Sequence, residues 1–535
     1  MADFGEILRA VGDFGLFQKL IVLALSFPNI LLSISFASIL FMDFDPERHC
    51  NTDWILGAGP NLTEEEQLNL TIPREPDGSL SRCLMFAPVD WTLDSIRRYG
   101  LNHTTACQDG WVYDQTLYQA TIVTDFDLVC DKAHFAGIAQ TVFMAGILAG
   151  SFIFGPASEP IGRKRAIQIP TVLLMIFIVA AGFCPNYYLY IVTQFMSGVG
   201  IGGYRVNSIV LVTEWMGTAK RSLGLCVSQI FNALGSMSLA GIMYLIRDWR
   251  RAQLVIAAPM ALAVIYIWFI PESAQWLLEQ GKTEEVKKLI LKVAAINKQK
   301  VPESLLDKIS EKTIVEPGGI ELLIQSSILK YFVIITFIWF SINLAYLCVV
   351  FNIANLGLNI FLTQFMFGLT EMPAHILCIW LLEIRGRKVS LMSTVLLGGF
   401  FSFLVILVPR DQALLVGVLV ITGQFFLIWG MSICNIYIQE LFPTSIRHTA
   451  TGLSTVVMRL AGLLSPLLNL LAVYHWTIPI IVFSSLALGG GALTFLLPET
   501  RGVDPPDLLD QMEAMDQEGK QKTDDGSGEK AKTKT

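Results

Sequence analysis

The sequence predicts an all-α membrane protein: twelve transmembrane helices in two pseudo-symmetric six-helix bundles, with a large extracellular loop after the first helix. Three observations predict it. Of the 535 residues, 53% are hydrophobic and only 16% charged, where a soluble chain carries about 25% charged residues. Apolar windows of helix length recur along the chain, each close to the roughly 20 residues that cross a hydrocarbon core of about 30 Å. Finally, charged motifs repeat between the two halves at one constant offset.

The windows fall at 16–41, 135–155, 167–184, 188–213, 223–246 and 253–270, and resume after a polar gap at 331–350, 361–382, 389–408, 413–438, 449–473 and 478–497. They divide the chain into an N-terminal segment (1–15), a first six-helix bundle (16–271) that includes the loop 42–134, a linker (272–330), a second bundle (331–500) and a tail (501–535). The opening MADFGEILRAVGDFGLFQKL has acids where a secretory signal is basic, so the first apolar run is expected to stay as an anchor. The net charge of −7 does not point to nucleic acid: the acids gather in one loop and the tail, and the basic residues in short loops.

Orientation follows from those basic loops. Arg163-Lys164-Arg165, Lys220-Arg221, the Lys-rich 282–312 segment, Arg385/Arg387/Lys388 and Arg447 share one side, which the positive-inside rule makes cytoplasmic, with both termini. Arg247, Arg250 and Arg251, beside Asp248 and Trp249, are the exception on the other side. The loop 42–134 is then extracellular. It carries three glycosylation sequons, at Asn61, Asn69 and Asn102. It also holds four of the nine cysteines, Cys50, Cys83, Cys107 and Cys130, which suggest two disulfides with three possible connectivities. The remaining five lie in or beside spans and read as packing residues; no CxxC pattern supports a metal site. Residues 275–296 of the linker have helical spacing with Lys on the polar face, as in helices at a membrane surface. The tail composition, rich in Lys, Asp, Glu, Gly and Ser, reads as disordered.

Glu159-Pro-Ile-Gly162-Arg163-Lys164 after span 2 matches Glu383-Ile-Arg-Gly386-Arg387-Lys388 after span 8. Glu214 and Arg221 match Glu440 and Arg447, and Pro271-Glu272-Ser273 matches Pro498-Glu499-Thr500, all at offsets of about 225 residues. Glycine permits a tight turn there. The acids and arginines suit an ion-pair lattice acting as a conformational gate, formed by Glu159, Arg163, Glu214 and Arg221 with Glu383, Arg387, Glu440 and Arg447. Topology signals alone need no acids.

With these motifs the chain resembles the major facilitator superfamily, and within it the organic ion transporters of solute carrier family 22. The resemblance also rests on Thr213-Glu-Trp215, Arg247-Asp-Trp249-Arg, Glu371-Met-Pro-Ala374, Glu440-Leu-Phe-Pro-Thr444 and Leu497-Pro-Glu-Thr500. It implies alternating access, the halves rocking about a site near the midplane. Two departures stand out: Glu159-Pro160 replaces the usual Asp-Arg, and Gln275 stands where the family commonly has Arg. Loop segments such as Cys50-Asn-Thr-Asp-Trp54 and Cys107-Gln-Asp-Gly-Trp111 look most like the branch containing the nicotinate/urate exchanger and the sperm riboflavin transporter.

Arg459 is the one charge in the apolar run 449–473. A mid-membrane arginine costs about 2.5–3.5 kcal/mol on insertion scales, so it is expected to face the bundle interior or a watery cavity. Its position resembles the one that separates organic anion carriers (arginine) from many cation carriers (an acid). A guanidinium binds a carboxylate or enolate through paired hydrogen bonds. His375 stands where anion carriers have a fixed base and Gln424 where several have lysine, which suits a lightly charged ligand. Glu371 and His375 are four residues apart, hence on one helix face. Arg205, after the small-residue run Ser197–Gly203, is either a second substrate contact or the partner of Glu371. Trp339 and Tyr346, seven residues apart, are candidates for stacking on a planar ring, with Asn343 and Asn29 as further polar candidates.

The function expected is secondary-active plasma-membrane transport of small planar organic anions or vitamin-like heterocycles (nicotinate, urate or riboflavin type). The alternatives are an organic cation or zwitterion carrier using Glu371, and a non-transporting receptor-like member. No nucleotide-binding loop, nucleophile elbow or metal cluster points to an enzyme or a cofactor. The partners expected are the organic substrate, a counter-anion or a proton carried through His375 and Glu371, and the lipid bilayer, with the monomer as functional unit.

Overall fold

The structure is a computed structural model and describes residues 4–217, 220–308, 323–324, 326–353, 356–442 and 444–501, with the side chains of 326, 327, 383 and 444–448 left out. The tail from 502 onward, part of the linker and the side chains of Glu383 and Arg447 therefore lie outside the described residues.

Twelve helices are long and apolar enough to cross a membrane. In the first half these are span 1 (Leu16–Met42), span 2 (Cys130–Ile161), span 3 (Arg163–Gly182), span 4 (Tyr187–Trp215), span 5 (Arg221–Leu245) and span 6 (Trp249–Ile267). In the second they are span 7 (Ile328–Phe351), span 8 (Ile360–Leu382), span 9 (Arg387–Leu407), span 10 (Ala413–Leu441), span 11 (Thr449–Val473) and span 12 (Thr477–Leu496). The expected count holds, and the apolar windows sit within a few residues of these bounds. Span 2 reaches further, because its Pro156 and Pro160 lie inside a helix that continues to Ile161. Within each half the first spans pack on the fourth to sixth, while span 8 packs on span 5 and span 11 on span 2 to join the halves.

The small-residue run in span 4 has a direct structural use. Side chains added at Gly146 or Gly150 of span 2 would come within 2.2 Å of the carbonyl oxygens of Phe195 and Val199. Those added at Gly198 or Gly202 of span 4 would strike Phe143 and Ile147 carbonyls at 2.4 and 2.2 Å. Spans 2 and 4 touch backbone to backbone, the close approach that small residues permit in membranes. This seam fixes the height and rotation of Arg205, less than a turn beyond it.

One end of the bundle carries the 42–134 loop (the loop face) and the other the linker (the linker face). The loop is not wholly irregular: β1 (Arg48–Cys50) pairs antiparallel with β4 (Trp111–Tyr113), and β2 (Leu84–Phe86) with β3 (Thr104–Ala106). Of the three connectivities, Cys50–Cys107 and Cys83–Cys130 are the ones formed. The five other cysteines are free and buried, as packing residues should be.

The basic exception between spans 5 and 6 is what fastens this loop to the bundle. The Arg247 carbonyl accepts the Gln119 N–H at 2.9 Å, and its guanidinium donates to the Thr116 carbonyl at 3.1 Å. Asp125 accepts from the Trp249 indole at 2.8 Å and from Arg250 Nε at 3.2 Å. Arg250 also donates to the carbonyls of Gly182 and Cys184, at 3.3 and 2.8 Å, between spans 3 and 4. These arginines satisfy backbone acceptors and a carboxylate, which gives them a structural use on this face.

On the linker face each half is closed by the same charged knot. Arg163 donates through Nε and Nη2 to Glu214 Oε1 at 3.2 and 3.0 Å, and Arg387 through Nε and Nη2 to Glu440 Oε2 and Oε1 at 2.7 and 2.9 Å. Glu272 then accepts the backbone N–H groups of Arg163 (3.0 Å) and Lys164, as Glu499 does those of Arg387 (2.9 Å) and Lys388. The turn glycines Gly162 and Gly386 have φ of +94° and +82°, and a Cβ on either would meet those carboxylates at 2.5 and 2.6 Å. Glycine is needed there both for the left-handed backbone and for room.

This corrects two expectations. The Glu159 side chain is exposed and outside the knot; its carbonyl instead accepts the Trp276 indole at 2.7 Å. Arg221 donates from Nε to the Thr213 carbonyl at 3.2 Å, so it closes the turn after span 4 without a side-chain ion pair to Glu214. The acids that complete the pattern are Glu272 and Glu499, whose place in the 225-residue repeat was the available signal. Each described pair also lies within one half, so the knots stiffen the halves individually.

The linker packs on the first half as well. In the helix Thr283–Asn297, Val286, Ile290 and Val293 are buried, and Asn297 joins three groups: it accepts the Phe17 N–H at 2.8 Å and donates to the Val11 carbonyl and Gln18 Oε1 at 3.0 and 2.9 Å.

Two outcomes are expected in the purified protein. Asp125→Ala leaves the Trp249 indole N–H and the Arg250 Nε–H without their acceptor, and should destabilise by about 1–3 kcal/mol, seen as a lower melting temperature in detergent. In a double-mutant cycle, Arg387→Ala and Glu440→Ala should show a coupling of about 0.5–3 kcal/mol, whereas additive effects would mean that the pair contributes nothing.

Candidate substrate site

Seven spans bring polar side chains to the middle of the bundle, where the two halves meet. Span 4 contributes Arg205, whose guanidinium lies 5.3 Å from the Phe36 ring centre of span 1 and donates to Asn232 Oδ1 of span 5 at 3.4 Å. From the other half, Tyr346 of span 7 donates its hydroxyl to Glu371 of span 8 at 3.1 Å. Arg459 of span 11 completes the set; its Nε is buried with no hydrogen-bond partner.

Charge organises this group. Arg205, Glu371 and Arg459 are its charged side chains, on spans 4, 8 and 11. The sequence left Arg205 as either a second substrate contact or the partner of Glu371. Among the described residues, Glu371 takes the Tyr346 hydroxyl and forms no ion pair with Arg205, whose own bond goes to Asn232. The centre therefore contains two guanidiniums and one carboxylate, with a net positive charge when all three are ionised. In a poorly screened interior such charges act strongly on whatever enters.

The other candidates divide by what already occupies their hydrogen bonds. Asn343 donates to the Met458 carbonyl at 2.8 Å and so fastens span 7 to span 11 beside Arg459. Gln424 donates to the Tyr346 carbonyl at 3.1 Å, leaving its Oε1 buried and unpartnered. His375 Nδ1 is 2.7 Å from the Ser432 hydroxyl. These three tie helices together around the site, a role that helical spacing alone did not reveal. Trp339 is buried with its indole N–H unpartnered, and Asn29 is half-buried on span 1. Two contributors were missed. Asn232 and Phe36 carried no charge or motif, and only the packing of spans 1 and 5 against span 4 brings them to Arg205.

Toward the loop face the halves meet at one ring. Phe361, at the start of span 8, lies 5.5 Å from Phe41 of span 1, 5.7 Å from Tyr118 of the loop and 5.7 Å from Tyr244 of span 5, by ring centres. The Arg247 guanidinium sits 5.9 Å from the same ring. This aromatic cluster joins the two halves near the loop face, and the loop itself supplies one of its rings.

Known proteins agree with this architecture. A family model described as "Sugar (and other) transporter" matches residues 87–507. Solute carrier family 22 member 13 of Homo sapiens is 35% identical over 516 residues, covering 96% of this chain and 94% of the relative. Solute carrier family 22 member 14 of Homo sapiens is 32% identical over 93% of this chain and 86% of its own length. Member 6-B of Xenopus laevis is 30% identical over 97% and 96%. Among solved structures, the proton:xylose symporter XylE bound to 6-bromo-6-deoxy-D-glucose superposes with a TM-score of 0.61 at 16% identity, over 93% of this chain and 99% of XylE. At that identity the likeness speaks for the fold alone. Identity at this level over nearly the full length of both chains, with the duplicated knots and the twelve spans, makes this chain a member of solute carrier family 22, a membrane transporter of the major facilitator fold.

Proposed function

We propose that the protein is a plasma-membrane carrier of small planar organic anions or vitamin-like heterocycles, of the nicotinate, urate or riboflavin type, working by alternating access. The observation that carries this reading is Arg459: a guanidinium at the meeting of the two halves whose Nε is buried without a partner. A buried cationic donor with no acceptor is unfavourable in the empty site and is relieved by an anionic or electron-rich ligand. Span 7, whose Asn343 bonds the carbonyl next to Arg459, also carries Tyr346 and Trp339, aromatic rings suited to a planar ligand. Fixed bases are absent at His375 and Gln424, both already tied to neighbouring helices, which favours one negative charge over two. In this reading the disulfide-bonded loop, with its sequons at Asn61, Asn69 and Asn102, lies outside the cell and both termini inside.

Uptake of labelled nicotinate, urate and riboflavin into cells expressing the protein tests the reading. Arg459→Ala should lower transport of the true substrate at least about tenfold at unchanged surface expression, the loss of one charge-assisted bond of roughly 1.5–3 kcal/mol. Arg459→Lys should recover only part, because an ammonium lacks the fork that meets a carboxylate or enolate in two bonds. Full transport by Arg459→Ala would remove this residue from the site.

A second reading, an organic cation or zwitterion carrier, is favoured by Glu371, a buried carboxylate whose bond comes from the neutral Tyr346 hydroxyl. It requires saturable uptake of a quaternary ammonium that is lost in Glu371→Gln. The anion reading expects no such uptake in the wild type.

A further inference from the structure

The loop between spans 1 and 2 holds a cavity of about 360 Å³, inside the roughly 300–1,000 Å³ range of small-molecule sites. Its walls come from residues 111–125, and none of the central polar side chains lines it. The fold holds these walls in place. Trp111 and Tyr113 are two apart on β4, hence on one side of the strand, and the ladder sets Trp111 opposite the disulfide-bonded Cys50. Beyond the strand, the Asp114 N–H donates to the Glu47 carbonyl at 2.8 Å and the Gln119 N–H to the Arg247 carbonyl at 2.9 Å. Tyr118, between them, is 3% exposed, with its ring centre 4.9 Å from that of Phe44 and 5.7 Å from that of Phe361.

Two observations mark this cavity as a site for a ligand of definite charge. The Tyr118 hydroxyl and the Trp111 indole nitrogen, both on lining residues, are buried and have no hydrogen-bond partner among the described residues. Buried polar groups in that condition are unfavourable until something meets them. The second observation is the charge around the aromatic wall. Asp114 is exposed and accepts the Thr116 N–H and hydroxyl, each at 2.9 Å, while Asp127 accepts the Tyr113 hydroxyl at 2.8 Å. Neither carboxylate is in an ion pair among the described residues. The bases of this region are already engaged: Arg48, opposite Tyr113 in the ladder, pairs with Asp45, Arg250 pairs with Asp125, and Arg247 donates to the Thr116 carbonyl. Aromatic faces beside an unpaired carboxylate attract an organic cation and disfavour an anion. The central site, with two guanidiniums to one carboxylate, has the opposite preference.

We propose that this loop cavity binds a small organic ammonium ion, at a site separate from the central one. The rings of Trp111 and Tyr113 take the apolar body of the ligand and Asp114 takes its charge. The Trp111 N–H and the Tyr118 hydroxyl meet its polar substituent. The proposal goes beyond the anion-carrier reading and does not depend on which substrate is carried.

Calorimetric titration of choline into the full-length purified protein tests it. Wild type should bind choline saturably, in the low millimolar range or tighter, and dimethylbutanol, the neutral carbon isostere, much more weakly. Asp114→Asn keeps one acceptor for Thr116 and should weaken choline about tenfold or more without lowering the melting temperature. Tyr118→Phe keeps the ring contacts and removes only the hydroxyl. It should weaken choline several-fold while the ligand-free protein melts no lower, whereas a hydroxyl with no ligand to meet would leave the affinity unchanged. Glu371→Gln should bind choline as wild type does. Absence of saturable binding, equal binding of the isostere, or wild-type affinity in Asp114→Asn or Tyr118→Phe overturns the loop site. Binding lost in Glu371→Gln and kept in Asp114→Asn also overturns it, and places the ammonium at the central carboxylate, as the cation-carrier reading expects.

Discussion

Each half of the molecule depends on one arrangement at the linker face: a glutamate a few residues beyond its last span that accepts the first backbone N–H groups of its third. Helix starts leave such N–H groups unsatisfied, and a carboxylate there is favoured by the helix dipole as well. Glu272 and Glu499 serve this purpose, and the Arg163–Glu214 and Arg387–Glu440 pairs extend the tie to the fourth span of each half. The geometry leaves no space for a side chain at Gly162 or Gly386. Three of the six helices in each half are thereby held as one body at one end, which is what a rocking mechanism asks of its moving parts.

Rigid halves give the central charges their meaning. A flexible bundle would let Arg205 and Arg459 swing toward solvent, as long basic side chains near membrane ends do. Here the glycine seam of spans 2 and 4 and the Asn343–Met458 bond hold both helices in register. The result is a site whose polar lining is mostly spent on helix ties, with only a few groups left for a ligand. Residue type alone does not separate these two roles, because Asn343 and Gln424 have the same donors whether they bind a helix carbonyl or a substrate.

The loop face works by different forces. Rings gather on Phe361, and the loop contributes Tyr118 to that cluster while being fastened to the bundle through Asp125, Trp249 and Arg250. A folded, disulfide-bonded loop is thus continuous with the aromatic contact between the halves, and the arginines between spans 5 and 6 secure it.

Much of this was legible in the sequence. Length and hydropathy determine the twelve spans, since a helix must be apolar over the full hydrocarbon thickness whatever its neighbours. The 225-residue repeat marked the charged knots, because a duplicated contact leaves duplicated residues, although it led to Glu159 where the structure uses Glu272. Arg459 was conspicuous because a charge in an apolar run is costly. Pairing was not legible. Which cysteines join, that Glu371 meets Tyr346, and that Arg205 meets Asn232 are decided between residues distant in the chain. A periodicity names the face of a helix and leaves open what that face meets; only the packing of twelve helices against one another settles that.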